Sequence, residues 1–252
     1  MIVDSDNAQA GITNGSIGAQ LRAPGFNITG NYTETGSSVF ANPDGSTPAN
    51  MTLGTPPMPD PLAYLPPPNP ATMPAGVATS SPVPGGQGAK NWVLTPGVYS
   101  SNVTNFGAKD NVFMQPGIYY MNNGFSFSGQ GTLTALGVMI YNNPGASNSN
   151  TISITGQGTV NMSPPDTGLY KGILIFQDRT ASTTITVTGN GGFTIGGTFY
   201  AANALVSISG NGDAHIGSQY ISRYLDLGGN GALTIDYTAS PHPSRRVLQL
   251  VE

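Results

Sequence analysis

The sequence predicts an all-β, single-stranded right-handed parallel β-helix, a β-solenoid with coils of about 20 residues. Two observations predict it. A Gly-(Asn/Gln)-Gly signature occurs five times, as Gly129-Gln130-Gly131, Gly156-Gln157-Gly158, Gly189-Asn190-Gly191, Gly210-Asn211-Gly212 and Gly229-Asn230-Gly231. Its successive offsets are 27, 33, 21 and 19 residues. Short alternating runs adjoin it, among them Ile152-Ser153-Ile154-Thr155, Ile185-Thr186-Val187-Thr188 and Val206-Ser207-Ile208-Ser209. Alternation with a period of two sets the β-branched residues on one face of a strand and Ser or Thr on the other. The right hand is assigned by analogy.

A shorter phrase gives the base period: Pro96-Gly97-Val98-Tyr99 returns as Pro116-Gly117-Ile118-Tyr119, 20 residues later. The two longer gaps hold insertions rich in Pro, Gly, Ser and Asn, from Asn142 to Asn150 and from Ser163 to Tyr170. Propeller blades need about 40–45 residues each, and leucine-rich repeats need Leu at fixed places, so neither fits. Stacked coils are expected to align Ile154, Val187 and Ile208 as an interior ladder. The signature glycines are expected at corners, where they accept positive φ at no steric cost. The Asn residues of the signature align on one corner too, where stacked amides are a structural device rather than a ligand site.

The elements divide as follows. Residues 1–53 read as weak strands, such as Phe26-Asn27-Ile28-Thr29, that cap or flank the solenoid. Residues 54–89 are proline-rich, with 11 of the 21 prolines between 55 and 84. Proline cannot donate to a ladder, so this stretch is a strap or a linker rather than a central strand. Leu62, Tyr64 and Leu65 would anchor a strap. Residues 90–238 are the coils, and 239–252 a tail or cap. The C-terminal segment from 236 is expected to block one end of the stack, because open solenoid ends favour self-association.

Composition narrows function. Charged residues make up 8% of the chain, against about 25% in ordinary domains. The net charge is −4 and the only adjacent basic pair is Arg245-Arg246, so no stripe exists to neutralise phosphates and nucleic acid is not an expected partner. No cysteine is present, which removes disulfides and thiolate metal sites. No apolar run is long enough to span a membrane, so no membrane contact is expected of this segment. The opening Met1-Ile2-Val3-Asp4 lacks a signal sequence, and an export signal or anchor is expected upstream of it.

Catalytic candidates are sparse. Residues 111–165 and 180–212 contain no charged side chain, so neither stretch supplies a general acid, a general base or a carboxylate metal site. If the chain were an enzyme, of polysaccharide lyase type, Asp178, Arg179, Asp213 and Arg223 would be its set. The plainer reading puts Asp178-Arg179 at a corner, bonding backbone or each other. His215 and His242 are too few for a metal triad. No cofactor is expected. Tyr119, Tyr120, Tyr141, Tyr200, Tyr220 and Tyr224 would serve as sugar-stacking platforms if exposed, and as packing if not. Thr132/Thr134, Thr184/Thr186/Thr188 and Ser207/Ser209 would make a hydroxyl array like that of an ice-binding solenoid, though Asp226 and Gly228 interrupt it.

Several phrases run through the chain in order: Asp60-Pro61-Leu62-Ala63-Tyr64-Leu65-Pro66, Leu94-Thr95-Pro96-Gly97-Val98-Tyr99, Gly137-Val138-Met139-Ile140-Tyr141-Asn142, Gly172-Ile173-Leu174-Ile175-Phe176-Gln177-Asp178-Arg179, and Gly197-Thr198-Phe199-Tyr200-Ala201 leading to Ser209-Gly210-Asn211-Gly212. The chain closes on Val247-Leu248-Gln249-Leu250-Val251-Glu252. Together they resemble the secreted C-terminal β-helical region of bacterial TadE/TadG-like (tight-adherence, Flp-type) pilus-assembly proteins. The resemblance implies a protein of the cell surface, anchored upstream, whose distal part serves pilus assembly or adhesion. Its implied partners are other pilus or envelope proteins and surface polysaccharide. The adhesion motif Asp-x-Ser-x-Ser is absent, and Asp4-Ser5-Asp6-Asn7-Ala8 does not complete it. A non-enzymatic structural or adhesive module is therefore the leading expectation. A carbohydrate-binding or carbohydrate-cleaving β-helix is the first alternative and an ice-binding solenoid the second.

Overall fold

A computed structural model describes residues 1–16, 18–100, 106–145, 150–189, 192–210, 214–230, 233–235 and 241–243. The described residues are β-strands and turns with one 3-10 turn at Pro70–Thr72, and no helix is long and apolar enough to cross a membrane. The chain divides into two compact units, Met1–Pro61 and Leu62–Glu252.

The larger unit is a parallel β-solenoid with three faces. Face A stacks Gly97–Tyr99, Gly117–Met121, Val138–Asn142, Ile173–Gln177 and the first parts of Thr198–Gly210 and Gln219–Gly229. Face B stacks Phe125–Gly129, Ile152–Gly156, Ile185–Gly189 and the last parts of those two long strands. Face C stacks Lys90–Leu94, Asn111–Met114, Thr132–Ala135, Thr159–Met162, Phe193–Ile195, Ala214–Ile216 and Leu233–Thr234. Each coil passes once through C, A and B.

The signature offsets are the ladder registers. On face B, Gly129, Gly156, Gly189, Gly210 and Gly229 pair in one unbroken file. The insertions that lengthen two coils leave from corners, so the ladder is not disturbed. Inside, Phe127, Ile154, Val187 and Ile208 pair in turn and are buried, as are Phe125, Ile152, Ile185 and Val206. Face C contributes Val112, Leu133, Val160 and Phe193 in the same manner. Each such side chain removes apolar surface worth roughly 1.5–3 kcal/mol from water.

The signature glycines answer a steric demand that is broader than the corner turn. A Cβ on Gly156 would stand 2.2 Å from the carbonyl oxygen of Gly129, and Gly156 has a φ of 134°. A Cβ on Gly131 would stand 1.8 Å from the carbonyl oxygen of Asp110. The coil below therefore occupies the space. Gly189 has no left-handed φ; its would-be Cβ meets the Phe193 ring at 2.7 Å, which corrects the expectation that every signature opens on positive φ. Asn190, Gly191, Asn211, Gly212 and Gly231 lie outside the described residues.

Pro96-Gly97-Val98-Tyr99 and its repeat build the corner from face C to face A. The hydroxyl of Tyr99 donates to the carbonyl of Thr95 at 2.7 Å, that of Tyr119 to Gln115 at 2.8 Å, and that of Tyr220 to Ile216. Each bond reaches four residues back and closes the corner. The Tyr99 and Tyr119 rings stack 5.9 Å apart, although the strand register pairs Gly97 with Tyr119.

Face A is covered on its outer side. Val138–Asn142 and Ile173–Gln177 are buried at every position. Outward Tyr120, Tyr141, Phe176 and Tyr200 form a ladder of rings with neighbouring centroids 4.9–5.3 Å apart, and Leu62 and Leu65 pack on them. Inward Asn142 and Gln177 are buried and joined, Asn142 Nδ2 donating to Gln177 Oε1 at 3.0 Å and Gln177 Nε2 to the Thr183 carbonyl at 2.7 Å, while Asn142 Oδ1 is left without a partner. The chain then runs to the start of the stack, where Ala75 bridges Val98 and Ala78–Pro82 pairs antiparallel with Lys90–Leu94.

The smaller unit is itself a stack of parallel strands in three files, Ile2–Val3 with Phe26–Ile28 and Met51–Leu53, Gly11–Gly15 with Tyr32–Gly36, and Gln20–Arg22 with Val39–Ala41. Phe26, Ile28 and Phe40 are its core. The weak strands of residues 1–53 are thus coils in their own right.

Candidate functional site

Face B of the larger unit is uncovered and regular. Its strands alternate strictly, so the residues between the buried ones point outward. Two files result. Ser126, Ser153, Thr186 and Ser207 pair in succession, and so do Ser128, Thr155, Thr188 and Ser209. Each coil offers a pair of hydroxyls, separated by about 4.8 Å from coil to coil and about 6.6 Å along a strand. Adjacent hydroxyls touch at one place, where Thr188 Oγ1 and Ser209 Oγ lie 3.0 Å apart. In the fifth coil the files end in Asp226 and Gly228. Thr132 and Thr134 belong to face C, not to this array.

In the middle coils no charged side chain stands on this face. From Asn111 to Gly210 the charged side chains are Asp166, Lys171, Asp178 and Arg179, and none of them lies in a strand. Parallel strands that shed charge to their corners present a flat, neutral surface.

The corner between faces A and B holds the polar groups that sequence reading singled out. Asp178 Oδ1 accepts from the Thr180 amide at 2.9 Å and from its hydroxyl at 2.6 Å, while Oδ2 accepts from Tyr141 Oη at 2.7 Å. Burial alone would raise the Asp178 carboxyl, but these donors and the nearby Arg179 charge outweigh it and hold it below the usual range. Arg179 Nε donates to Tyr200 Oη at 2.7 Å, and its guanidinium lies 5.2 Å from the ring centroids of Phe176 and Tyr200. Asn203 donates to the Thr180 carbonyl at 3.3 Å and accepts from Arg223 at 3.1 Å. A polar column thus climbs the corner from Asp178 to Arg223. Both members of the Asp178-Arg179 pair are committed to neighbours, and Asp213 lies outside the described residues.

Burial decides between the packing and platform readings of the tyrosines. Tyr119, Tyr120, Tyr141 and Tyr200 are buried, whereas Tyr224 is 59% exposed. The Arg223 guanidinium stands 5.3 Å from the Tyr224 ring centroid. His215 is exposed on face C in register with Thr194. Among the described residues no group of three or more His, Asp or Glu is gathered as a metal site would require. The described residues include a shallow depression of about 250 Å³ lined by Asn91, Trp92, Phe113 and Thr134 on face C, and another of about 290 Å³ lined by Tyr32, Glu34, Phe40 and Met51 in the smaller unit.

Sequence reading found the Ser and Thr rows but not their register, which follows from the five-glycine file. It found Gly97 and Gly117 of the C-to-A corner series but not their continuation in Gly137, Gly172, Gly197 and Gly217, all at positive φ. The signal was present, at spacings close to one coil wherever no insertion intervenes. Compared with protein-family models, with curated proteins and with solved structures, the chain matches none.

Proposed function

We propose that this chain is the extracellular, non-enzymatic structural and adhesive part of a bacterial pilus-assembly or cell-envelope protein. One observation carries the reading: across the middle coils every charged group sits in an insertion or a corner, which leaves face B neutral and flat. Acid–base chemistry needs ionisable groups converging on one reacting atom. The groups nearest to that description, Asp178 and Arg179, are spent on Tyr141, Thr180, Tyr200 and the proline-rich segment. Stacked coils give a stiff body and a long contact face from short repeats, which suits a surface role. The ordered phrases that resemble those of TadE/TadG-like proteins support the pilus or envelope setting, with other envelope proteins and surface polysaccharide as the partners.

The test is an incubation of the purified chain with acidic and neutral polysaccharides, scored for retention and for new chain ends. Retention, or binding to envelope proteins, without new chain ends is the expected result. Chain ends accumulating above background would overturn the proposal.

A further inference from the structure

Face B ends on a constellation unlike the coils before it. In the last full coil, Tyr224 and Asp226 are two residues apart and so point to the same side of the strand. Asp226 continues the file of Ser126, Ser153, Thr186 and Ser207, with Ser207 Oγ 3.5 Å from its Oδ2. Gly228 continues the file of Ser128, Thr155, Thr188 and Ser209, and a side chain built there would meet nothing within 4 Å. An exposed aromatic ring, an exposed carboxylate and open space therefore lie together at the top of a neutral hydroxyl ladder.

From this arrangement we infer that face B binds an uncharged, extended polysaccharide lying along the solenoid axis. The inference rests on the adhesive reading and names the ligand of that surface. The first argument is periodicity. Adjacent coils repeat at about 4.8 Å, and the rings of an extended β-linked glycan follow one another at a similar interval. A chain laid along the axis meets an equivalent pair of hydroxyls at each of four coils. Ser and Thr hydroxyls both donate and accept, which matches sugar hydroxyls of either sense. The second argument is charge. None of the eight hydroxyl residues is charged, so the ladder offers no counter-charge to sulfate, uronate or phosphate groups. The third argument is the terminus. Tyr224 gives a face for stacking a pyranose ring, and Asp226 is an acceptor able to take two sugar hydroxyls at once.

The test uses the full chain and insoluble neutral glycans, cellulose and chitin, beside pectate and alginate. Tyr224→Ala and Thr188→Lys each change an exposed side chain on face B, and Thr194→Lys changes an exposed one on face C as a control. Circular dichroism and thermal melts establish that all three fold. Retention on at least one neutral glycan is expected to fall about tenfold in each face B variant and to be unchanged in the control. Equal retention of all variants would overturn the inference while leaving the adhesive reading intact. Preference for pectate or alginate would overturn it, as would thermal hysteresis or face B dimerisation without glycan retention. Release of new chain ends would bring down the adhesive reading as well.

Discussion

The Nη2 of Arg179 lies 2.8 Å from the carbonyl oxygen of Leu65, and at the same distance from that of Leu62. One guanidinium thereby ties the proline-rich segment to the covered face of the solenoid. Tyr170, from the other insertion-bearing corner, adds a bond from its hydroxyl to the Pro66 carbonyl at 3.0 Å. Hydrogen bonds to a charged group contribute about 1.5–3 kcal/mol each. Arg179→Ala is expected to cost about 2–4 kcal/mol and to open the 62–74 segment to proteolysis. Arg179→Lys is expected to recover only part of this, because it loses the planar fork. Limited proteolysis with mass mapping checks it; a variant as resistant as the parent would refute the role.

The interior ladder and the outer hydroxyl file occupy alternate positions of the same strands, and their substitutions are expected to differ in kind. Phe127→Ala removes a buried ring and is expected to cost about 3–5 kcal/mol. Ser128→Ala, one residue along, is expected to stay within about 0.5 kcal/mol of the parent. Denaturant titration of the pair measures the contrast, and similar losses would contradict the assignment of faces.

Gly131 and Gly228 make a second contrast. A Cβ at Gly131 collides with backbone of the coil below, whereas one at Gly228 meets open space. Gly131→Ala is expected to unfold the adjoining coils, a loss above about 4 kcal/mol. Gly228→Ala is expected to be tolerated. Expression level and melting temperature report the difference, and a stable Gly131→Ala protein would contradict the coil spacing.

Asp110 sets an acid limit. Its carboxylate accepts from the Lys90 amide at 2.8 Å, Trp92 Nε1 at 2.7 Å and the Gly107 amide at 2.6 Å. Burial alone would raise its pKa, but these donors and the Lys90 charge hold it below the usual carboxylate range. With the folded value depressed, the stabilisation is complete above the unfolded pKa and is lost as pH falls through the folded one. Asp110→Asn is expected to lower stability at neutral pH and to flatten the acid limb of the stability curve below the unfolded carboxylate pKa of about 4. An unchanged acid limb would count against it.

Tyr99 sets the alkaline limit. Burial pushes its hydroxyl up to about 12, and in its neutral form it donates to the Val77 and Thr95 carbonyls. A raised value means that the stabilisation is intact below the unfolded pKa near 10 and is lost as pH rises toward 12. Spectrophotometric titration is expected to show Tyr99 ionising only near pH 12, as the protein unfolds. Ionisation of all tyrosines near pH 10 with the fold intact would contradict the corner geometry.

Much of the larger unit was legible because its repeat is a register. Gly129, Gly156, Gly189, Gly210 and Gly229 fall 27, 33, 21 and 19 residues apart in the chain, and those intervals are the ladder. The covered face was legible too, in a feature read less closely. Val138–Asn142 and Ile173–Gln177 are nearly continuous apolar runs, as expected of parallel strands buried on both sides, while face B alternates. In the smaller unit the strands were legible but their stacking was not, because they are two to five residues long and carry no signature; Phe26, Ile28 and Phe40 come together only through coil stacking. Tyr224 stood in the sequence among other tyrosines, and burial alone separates it from Tyr120, Tyr141 and Tyr200.

The strand Ala78–Pro82 runs against Lys90–Leu94, while every other strand pair among the described residues is parallel. A stack of coils propagates by copying the direction of the strand beneath it. At this edge the template is reversed, and Pro82 withdraws one donor from it. A second molecule arriving head-to-tail meets a strand of the wrong polarity. On face C this edge therefore presents no parallel template on which a further coil could be laid.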